Sequence, residues 1–68
     1  MFLNFLIQEE GENTKILEYQ GDYTVKSLEA IFEQLINPDC EWFKFDSKPH
    51  GFITRKKHIK TVYLKESR

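Results

Sequence analysis

One segment of this sequence has the periodicity of an amphipathic helix, and it separates two regions of strand-like sequence. Its apolar residues recur at helical spacing over an arc of roughly 140°: Val25, Leu28, Ile31, Phe32, Leu35 and Ile36. Thr24 is a suitable N-cap, and Asn37-Pro38 stops the helix. The sequence therefore predicts one helix over 25–36 that packs on a sheet through Leu28, Ile31, Phe32, Leu35 and Ile36.

The residues before this helix have the pattern of a β-hairpin. Residues 2–9 read as a strand in which Leu3, Phe5 and Ile7 form one apolar face, and the even positions 2, 4, 6 and 8 form a mixed one. Residues 10–13 contain a glycine and an asparagine, which suit a turn. Residues 14–20 then return as a second strand, and Gly21-Asp22 ends it.

The residues after the helix predict two or three further strands, at 41–46, 52–55 and 59–65. The order of elements is therefore β-β-α-β-β, with one more strand if the last two segments are separate. We expect a single small α+β domain over residues 1–68. Its sheet has four or five strands, is mainly antiparallel and carries one helix on one face.

The order of elements also carries a resemblance. The chain begins with a hairpin, continues through GDYTVKSL (21–28) into the helix and closes with the strand TVYLK (61–65). This order resembles the ubiquitin-like β-grasp fold, which implies that the first and last strands lie parallel at the sheet centre. Conjugating and sulfur-carrying members end in Gly-Gly, whereas this sequence ends in Glu-Ser-Arg at 66–68, so the resemblance implies no carrier function. An all-antiparallel sheet with one helix fits the same pattern.

The length and the cysteine content limit how such a domain is stabilised. The chain has 68 residues and one cysteine, Cys40, so it has no internal disulfide. A core of this size supplies about 3–5 kcal/mol of net stability, and oligomerisation is the obvious source of further burial. A lone cysteine is typical of a reducing compartment. The apolar residues 1–7 lack a basic flank and are far fewer than the about 20 needed to span a bilayer. We expect a cytoplasmic protein without membrane contact.

No pattern typical of catalysis or metal binding is present in the sequence. Cys40, His50 and His58 are potential ligands, but their spacing matches no recurrent metal site. Cys40, His58 and Asp46 supply the residue types of a nucleophilic site, without a nucleophile elbow or a glycine-rich phosphate loop. We therefore expect no enzyme activity, no metal and no cofactor.

A sheet covered by one helix leaves its other face open. That face takes Phe2 and Leu6 from the first strand and one of two sets from the last strand, either Ile59, Thr61 and Tyr63 or Val62 and Leu64. An apolar face exposed by a monomer is typical of an interface, and a symmetric homodimer is its simplest form. We predict a small non-enzymatic protein-binding module, self-associating through Phe2, Leu6 and Tyr63, whose size suits an accessory regulator or an inhibitor.

The charges are sorted along the chain and favour an alternative function. Residues 1–43 contain two basic and nine acidic residues, and residues 44–68 contain eight basic and two acidic ones. Clustered cations with exposed aromatic residues are typical of nucleic-acid surfaces, whereas lysines on a solvated sheet edge serve only to prevent aggregation. The alternative is a nucleic-acid-binding domain that uses the 44–65 surface, with these candidate residues: Lys44, Lys48, Arg55, Lys56, Lys57, His58, Lys60, Trp42 and Phe52.

Overall fold

The computed structural model describes residues 1–47 and 50–66. Its elements are β1 (Phe2–Ile7), β2 (Lys15–Gln20), α1 (Val25–Ile36), β3 (Trp42–Phe45), β4 (Phe52–Arg55) and β5 (Ile59–Lys65). One turn of 3₁₀ helix, Lys56–His58, joins β4 to β5. The predicted α+β class is confirmed, with the element order β-β-α-β-β-β.

The strands form two antiparallel sheets where a single sheet was expected. Sheet A has the strand order β2-β1-β5, and sheet B consists of β3 and β4. Sheet B stacks on sheet A because its aromatic side chains need burial. The rings of Phe43, Phe45 and Phe52 lie with their centroids 5.6, 4.9 and 4.9 Å from that of Phe5 in β1. These contacts place β3 and β4 over the face of sheet A that points into the core, above its central strand β1 and not beside an edge strand.

All pairings in sheet A are antiparallel, because β1 runs antiparallel to both β2 and β5. This is the all-antiparallel alternative, and it differs from the parallel first and last strands that the ubiquitin-like resemblance implies. A bulge in the β1–β5 pairing places Ile59 opposite Ile7, with Lys60 as the additional residue. Ile59 therefore packs against the core. Of the residues predicted for the outer face, β5 contributes Thr61 and Tyr63.

The core lies between sheet A on one side and sheet B and the helix on the other. Its buried apolar side chains are Leu3, Phe5, Ile7, Tyr19, Ile31 and Phe43. The odd positions of β1 form the centre of this core, as the alternation of the sequence predicts. Burial raises the pKa of the Tyr19 phenol, and the neighbouring Tyr23 raises it further.

Helix α1 begins and ends where the sequence predicts. The Thr24 hydroxyl accepts a hydrogen bond from the backbone N–H of Ser27 at 3.3 Å, and the Ser27 hydroxyl accepts one from the N–H of Thr24 at 3.4 Å. This reciprocal capping box confirms Thr24 as the N-cap. At the other end Asn37 is the C-cap, directly before Pro38.

The contact between the helix and the core is narrower than the apolar stripe of the helix. Ile31 is buried, and Leu28 and Leu35 pack against the core as predicted. The prediction that Phe32 and Ile36 belong to the core is wrong, because they are 41% and 76% exposed. The physical reason is the rotation of the helix, which turns these two side chains away from the core and brings its opposite flank into a pair of hydrogen bonds with β3.

These two hydrogen bonds join Gln34 to the backbone of β3. The Gln34 amide nitrogen donates to the Lys44 carbonyl at 3.1 Å, and the Lys44 N–H donates to the Gln34 amide oxygen at 3.2 Å. A primary amide thus makes the pair of hydrogen bonds that a neighbouring strand would make. With Gln34 held at β3, the flank of the helix that carries Phe32 lies on the other side, next to β5.

Candidate protein interface

The face of sheet A that points away from the core is the first candidate site, and we call it the open face. The strand registers place nine residues on it: Ile16, Glu18 and Gln20 from β2, Phe2, Asn4 and Leu6 from β1, and Thr61, Tyr63 and Lys65 from β5. The predicted interface residues Phe2, Leu6 and Tyr63 are therefore brought together on one face. They share it because residues two apart in a strand point the same way.

The open face has an apolar surface around a polar centre. Asn4, in the middle of β1, is 2% exposed, and its amide nitrogen donates to the Phe2 carbonyl at 3.4 Å. Leu6 lies between Ile16 and Thr61 in the neighbouring strands. Ile16 is 57% exposed, so a large apolar side chain at the β2 edge of this face is in contact with solvent.

The candidate nucleic-acid residues are only partly brought together. Arg55 forms an ion pair with Glu41 and lies over the Trp42 ring at 4.7 Å from its centroid. The Lys44 ammonium lies 3.4 Å from a carboxylate oxygen of Asp46. Two of the predicted cations and the predicted Trp42 stacking face thus have partners within the chain.

Two further candidates fall elsewhere. Phe52 is in the aromatic cluster of the core, with its ring centroid 4.9 Å from that of Phe5 and 5.8 Å from that of Phe43. Its ring therefore packs in the interior and does not present a face on which a base can stack. Lys48 lies outside the described residues.

The acidic and basic halves of the chain meet beside the β1–β2 turn. Lys57, His58 and Lys60 line a shallow cleft of about 260 Å³ together with Glu9 and Glu10, and with Gln8 and Gly11. A hydrogen bond from the Gln8 N–H to the His58 carbonyl, 2.9 Å long, holds the two segments together. Acidic residues from the first half of the chain and basic residues from the second half therefore lie side by side in the fold.

A second candidate site is a groove between α1 and β5, which the sequence reasoning missed. Its volume is about 350 Å³, and we call it the α1–β5 groove. Phe32 and Leu35 of the helix and Ile59 and Val62 of β5 form its apolar surface. Its basic lining residues are Lys56, Lys57 and Lys60. The sequence indicated this site only through the width of the apolar stripe on the helix, because the stripe is wider than the surface that packs on the core.

The described residues contain no group of three or more His, Cys, Asp or Glu side chains arranged to hold a metal ion. Cys40 is a free, partly buried thiol that donates to the carbonyl of Trp42. None of the helices in residues 1–47 and 50–66 combines the length and the hydropathy needed to cross a membrane.

No protein-family model matches this chain, and neither a curated protein nor a solved structure shows significant similarity to it. Function is therefore inferred from the surfaces of the molecule itself.

Proposed function

We propose that this protein is a small, non-enzymatic protein-binding module of the cytoplasm that associates with a second copy of itself through the open face. The observation that supports this is the placement of Phe2, Leu6 and Tyr63 on one sheet face, opposite the face that packs on the helix and sheet B. A module of this kind suits the role of an accessory regulator or an inhibitor.

The expected affinity follows from the size of the apolar surface. Full burial of one large apolar side chain contributes about 1.5–3 kcal/mol, and the side chains of Phe2 and Leu6 are already half-buried in the monomer. Ile16 and Tyr63 have more surface to lose. Because association also costs translational and rotational freedom, a dissociation constant of micromolar order, about −8 kcal/mol, is the expected result.

Charge favours one arrangement of the two copies. Glu18 lies on β2 at one edge of the open face, and Lys65 lies on β5 at the other. A two-fold axis parallel to the strands places β2 of one copy over β5 of the other. Each Glu18 then lies over β5 of the partner, two residues along the strand from Lys65 and within reach of that long side chain, whereas an axis across the strands places β2 over β2 and brings like charges together.

Leu6→Lys is expected to abolish self-association, because it places a charge at the apolar contact without reaching the core. Sedimentation velocity between about 1 and 100 µM checks this. Ile53→Lys is the matched control, since Ile53 is an exposed isoleucine on the outer face of sheet B. The control should dimerise like the parent. If the parent protein itself sediments as a monomer over the whole range, the dimer proposal fails and the open face is left to a different protein.

The nucleic-acid alternative leads to a separate test. We expect no binding of single-stranded DNA or RNA at about 150 mM salt, because Glu9 and Glu10 lie in the same cleft as Lys57 and Lys60 and oppose a polyanion.

A double variant with Lys57→Glu and Lys60→Glu is compared with a double variant with Lys15→Glu and Lys26→Glu. Both have the same change in net charge, so a difference in binding between them reports a local contact. Fluorescence anisotropy with a labelled oligonucleotide at several salt concentrations is the measurement. Sub-micromolar binding at about 150 mM salt, lost only in the first double variant, would replace the proposed function with nucleic-acid binding.

A further inference from the structure

The α1–β5 groove lies at an edge of sheet A. The strand order β2-β1-β5 ends at β5, and within the described residues β5 pairs only with β1. The far side of this seven-residue strand therefore has backbone N–H and C=O groups without a ladder partner. Strands of this kind bind extended peptides by adding them to the sheet.

The helix extends its apolar surface beyond this edge. Gln34 holds one flank of α1 to β3, and Phe32 on the other flank lines the groove with Ile59 and Val62. Next to Phe32 on this flank are Val25 and Ile36, which are 71% and 76% exposed. Three large apolar side chains thus lie where they would cover the inner side of a strand added to β5. The apolar stripe of the helix is therefore wider than the part of it that packs on the core.

One end of the groove lies where the C-terminus of α1 contacts the segment before β5. The Lys56 ammonium donates to the Asn37 carbonyl at 2.6 Å, which ties the end of α1 to the segment that leads into β5. The groove is present in the protein without a ligand.

The charge of the groove indicates what kind of segment binds there. Lys56, Lys57 and Lys60 are among its lining residues, and none of the lining residues is acidic. The glutamates beside Lys57 and Lys60 line the neighbouring cleft and not this groove, so a short anionic segment is attracted to this edge although a long polyanion is opposed. Its apolar surface, formed by Phe32, Leu35, Ile59 and Val62, in turn requires apolar side chains, which a nucleic acid does not offer.

A second copy of this chain fits the groove poorly. The β5 strand of another copy would bring the same lysines to the junction, where like charges repel. The β2 strand of another copy is acidic at Glu18, but its inner side chains are already covered. The Tyr19 ring lies 4.8 Å from that of Phe45 and 6.2 Å from that of Phe52, so no space is left for the helix of a neighbour.

We propose that the α1–β5 groove binds an extended acidic segment of a partner protein, which adds to sheet A as a fourth strand along β5. Alternate apolar side chains of this segment pack beneath the Phe32 flank of the helix. Its carboxylates lie against the lysines of the rim. This binding mode uses a surface other than the open face and goes beyond self-association.

The probe for this site is a synthetic peptide of about nine residues with blocked ends, in which Val and Ile alternate with Glu. Titration into isotopically labelled protein, followed by amide NMR shifts, should perturb β5 and the helix flank at Val25, Phe32 and Ile36. A peptide with Lys in place of every Glu should bind at least about tenfold more weakly. Higher salt should weaken binding of the acidic peptide, because the lysine rim is exposed to solvent.

Variants of the protein test the two halves of the groove. Phe32→Ser should weaken binding about tenfold, and Val25→Ser provides a second test at a side chain with no core contact. Lys57→Glu should weaken binding to a similar extent, whereas Lys26→Glu, with the same change of charge on an exposed position of the helix, should not. Leu6→Lys should leave peptide binding unchanged, so failure of the dimer proposal and failure of this one are distinguishable.

Three results would overturn the proposal. The first is a saturable change of amide NMR shifts on peptide titration that affects residues outside β5 and α1 and leaves these two elements unchanged. The second is equal binding of the acidic and basic peptides. The third is a dimer of the protein alone that Phe32→Ser or Val25→Ser dissociates and Leu6→Lys does not, because it would place a second copy in the groove.

Discussion

Replacing Phe5 with alanine is expected to leave the chain largely unfolded at room temperature. Phe5 is 0% exposed, and its ring lies within 6.0 Å, centroid to centroid, of four other aromatic rings: Tyr19, Phe43, Phe45 and Phe52. It is therefore the side chain through which sheet A contacts sheet B. Loss of a buried phenylalanine costs about 3–5 kcal/mol, which is comparable with the whole net stability of a core of this size.

Phe32→Ala is the matched control for this experiment. The sequence pattern assigned Phe32 to the core as well, but its side chain is 41% exposed, so its loss should lower the melting temperature only moderately. Thermal melts followed by far-ultraviolet circular dichroism compare the two variants with the parent. A cooperative Phe5→Ala melt close to that of the parent would contradict the central position of Phe5. Equal effects of both substitutions would contradict the observed rotation of the helix.

Gly51→Ala is expected to destabilise the fold, because backbone atoms of residues 45–47 lie close to this position. A Cβ added at Gly51 would clash with the carbonyl oxygen of Phe45 and lie 3.1 Å from the amide nitrogen of Ser47. Neither atom belongs to a flexible side chain, so the turn between β3 and β4 must shift to accommodate the methyl group. Overpacking of this kind costs about 1–3 kcal/mol, and here it also displaces Phe45 and Phe52 in the core.

Gly11→Asn is the control, since Gly11 is in the β1–β2 turn at φ 78° with no atom within 4 Å of an added Cβ. Asparagine tolerates a positive φ better than most residues, so this variant should retain nearly all of the parent's stability. Urea denaturation of both variants measures the difference in the free energy of unfolding. A Gly51→Ala protein with the parent's midpoint would show that Gly51 does not approach the Phe45 carbonyl this closely.

Local features of the fold were predictable from the sequence. The helix bounds, the Thr24 cap and the inward positions of β1 all depend on residues close together in the chain. The division into two sheets was not predictable, because it depends on Phe43, Phe45 and Phe52 meeting Phe5 from the other end of the sequence. The residue pattern of β3 and β4 is compatible both with strands that extend sheet A and with a second sheet that stacks on it.

The same distinction applies to the two candidate sites. Phe2 and Leu6 share a face because they lie four residues apart in one strand, and this was predicted. The outward position of Tyr63 depends on the strand register, and the inward position of Ile59 depends on a bulge at Lys60 that the sequence does not mark. The α1–β5 groove was missed because the helix rotation depends on the long-range bond between Gln34 and Lys44.

The hydrogen bonds between Gln34 and Lys44 also make the two sheets differ in how readily a further strand can add to their edges. A side-chain amide occupies backbone groups of β3 that would otherwise template another strand, so sheet B is protected along that edge. Sheet A has no such cover at β5, where an incoming strand meets lysines in place of a blocking amide. At the β3 edge, addition of another strand is therefore opposed by a hydrogen-bonded side-chain amide, whereas at the β5 edge the lysines oppose basic strands and would admit the acidic segment proposed above.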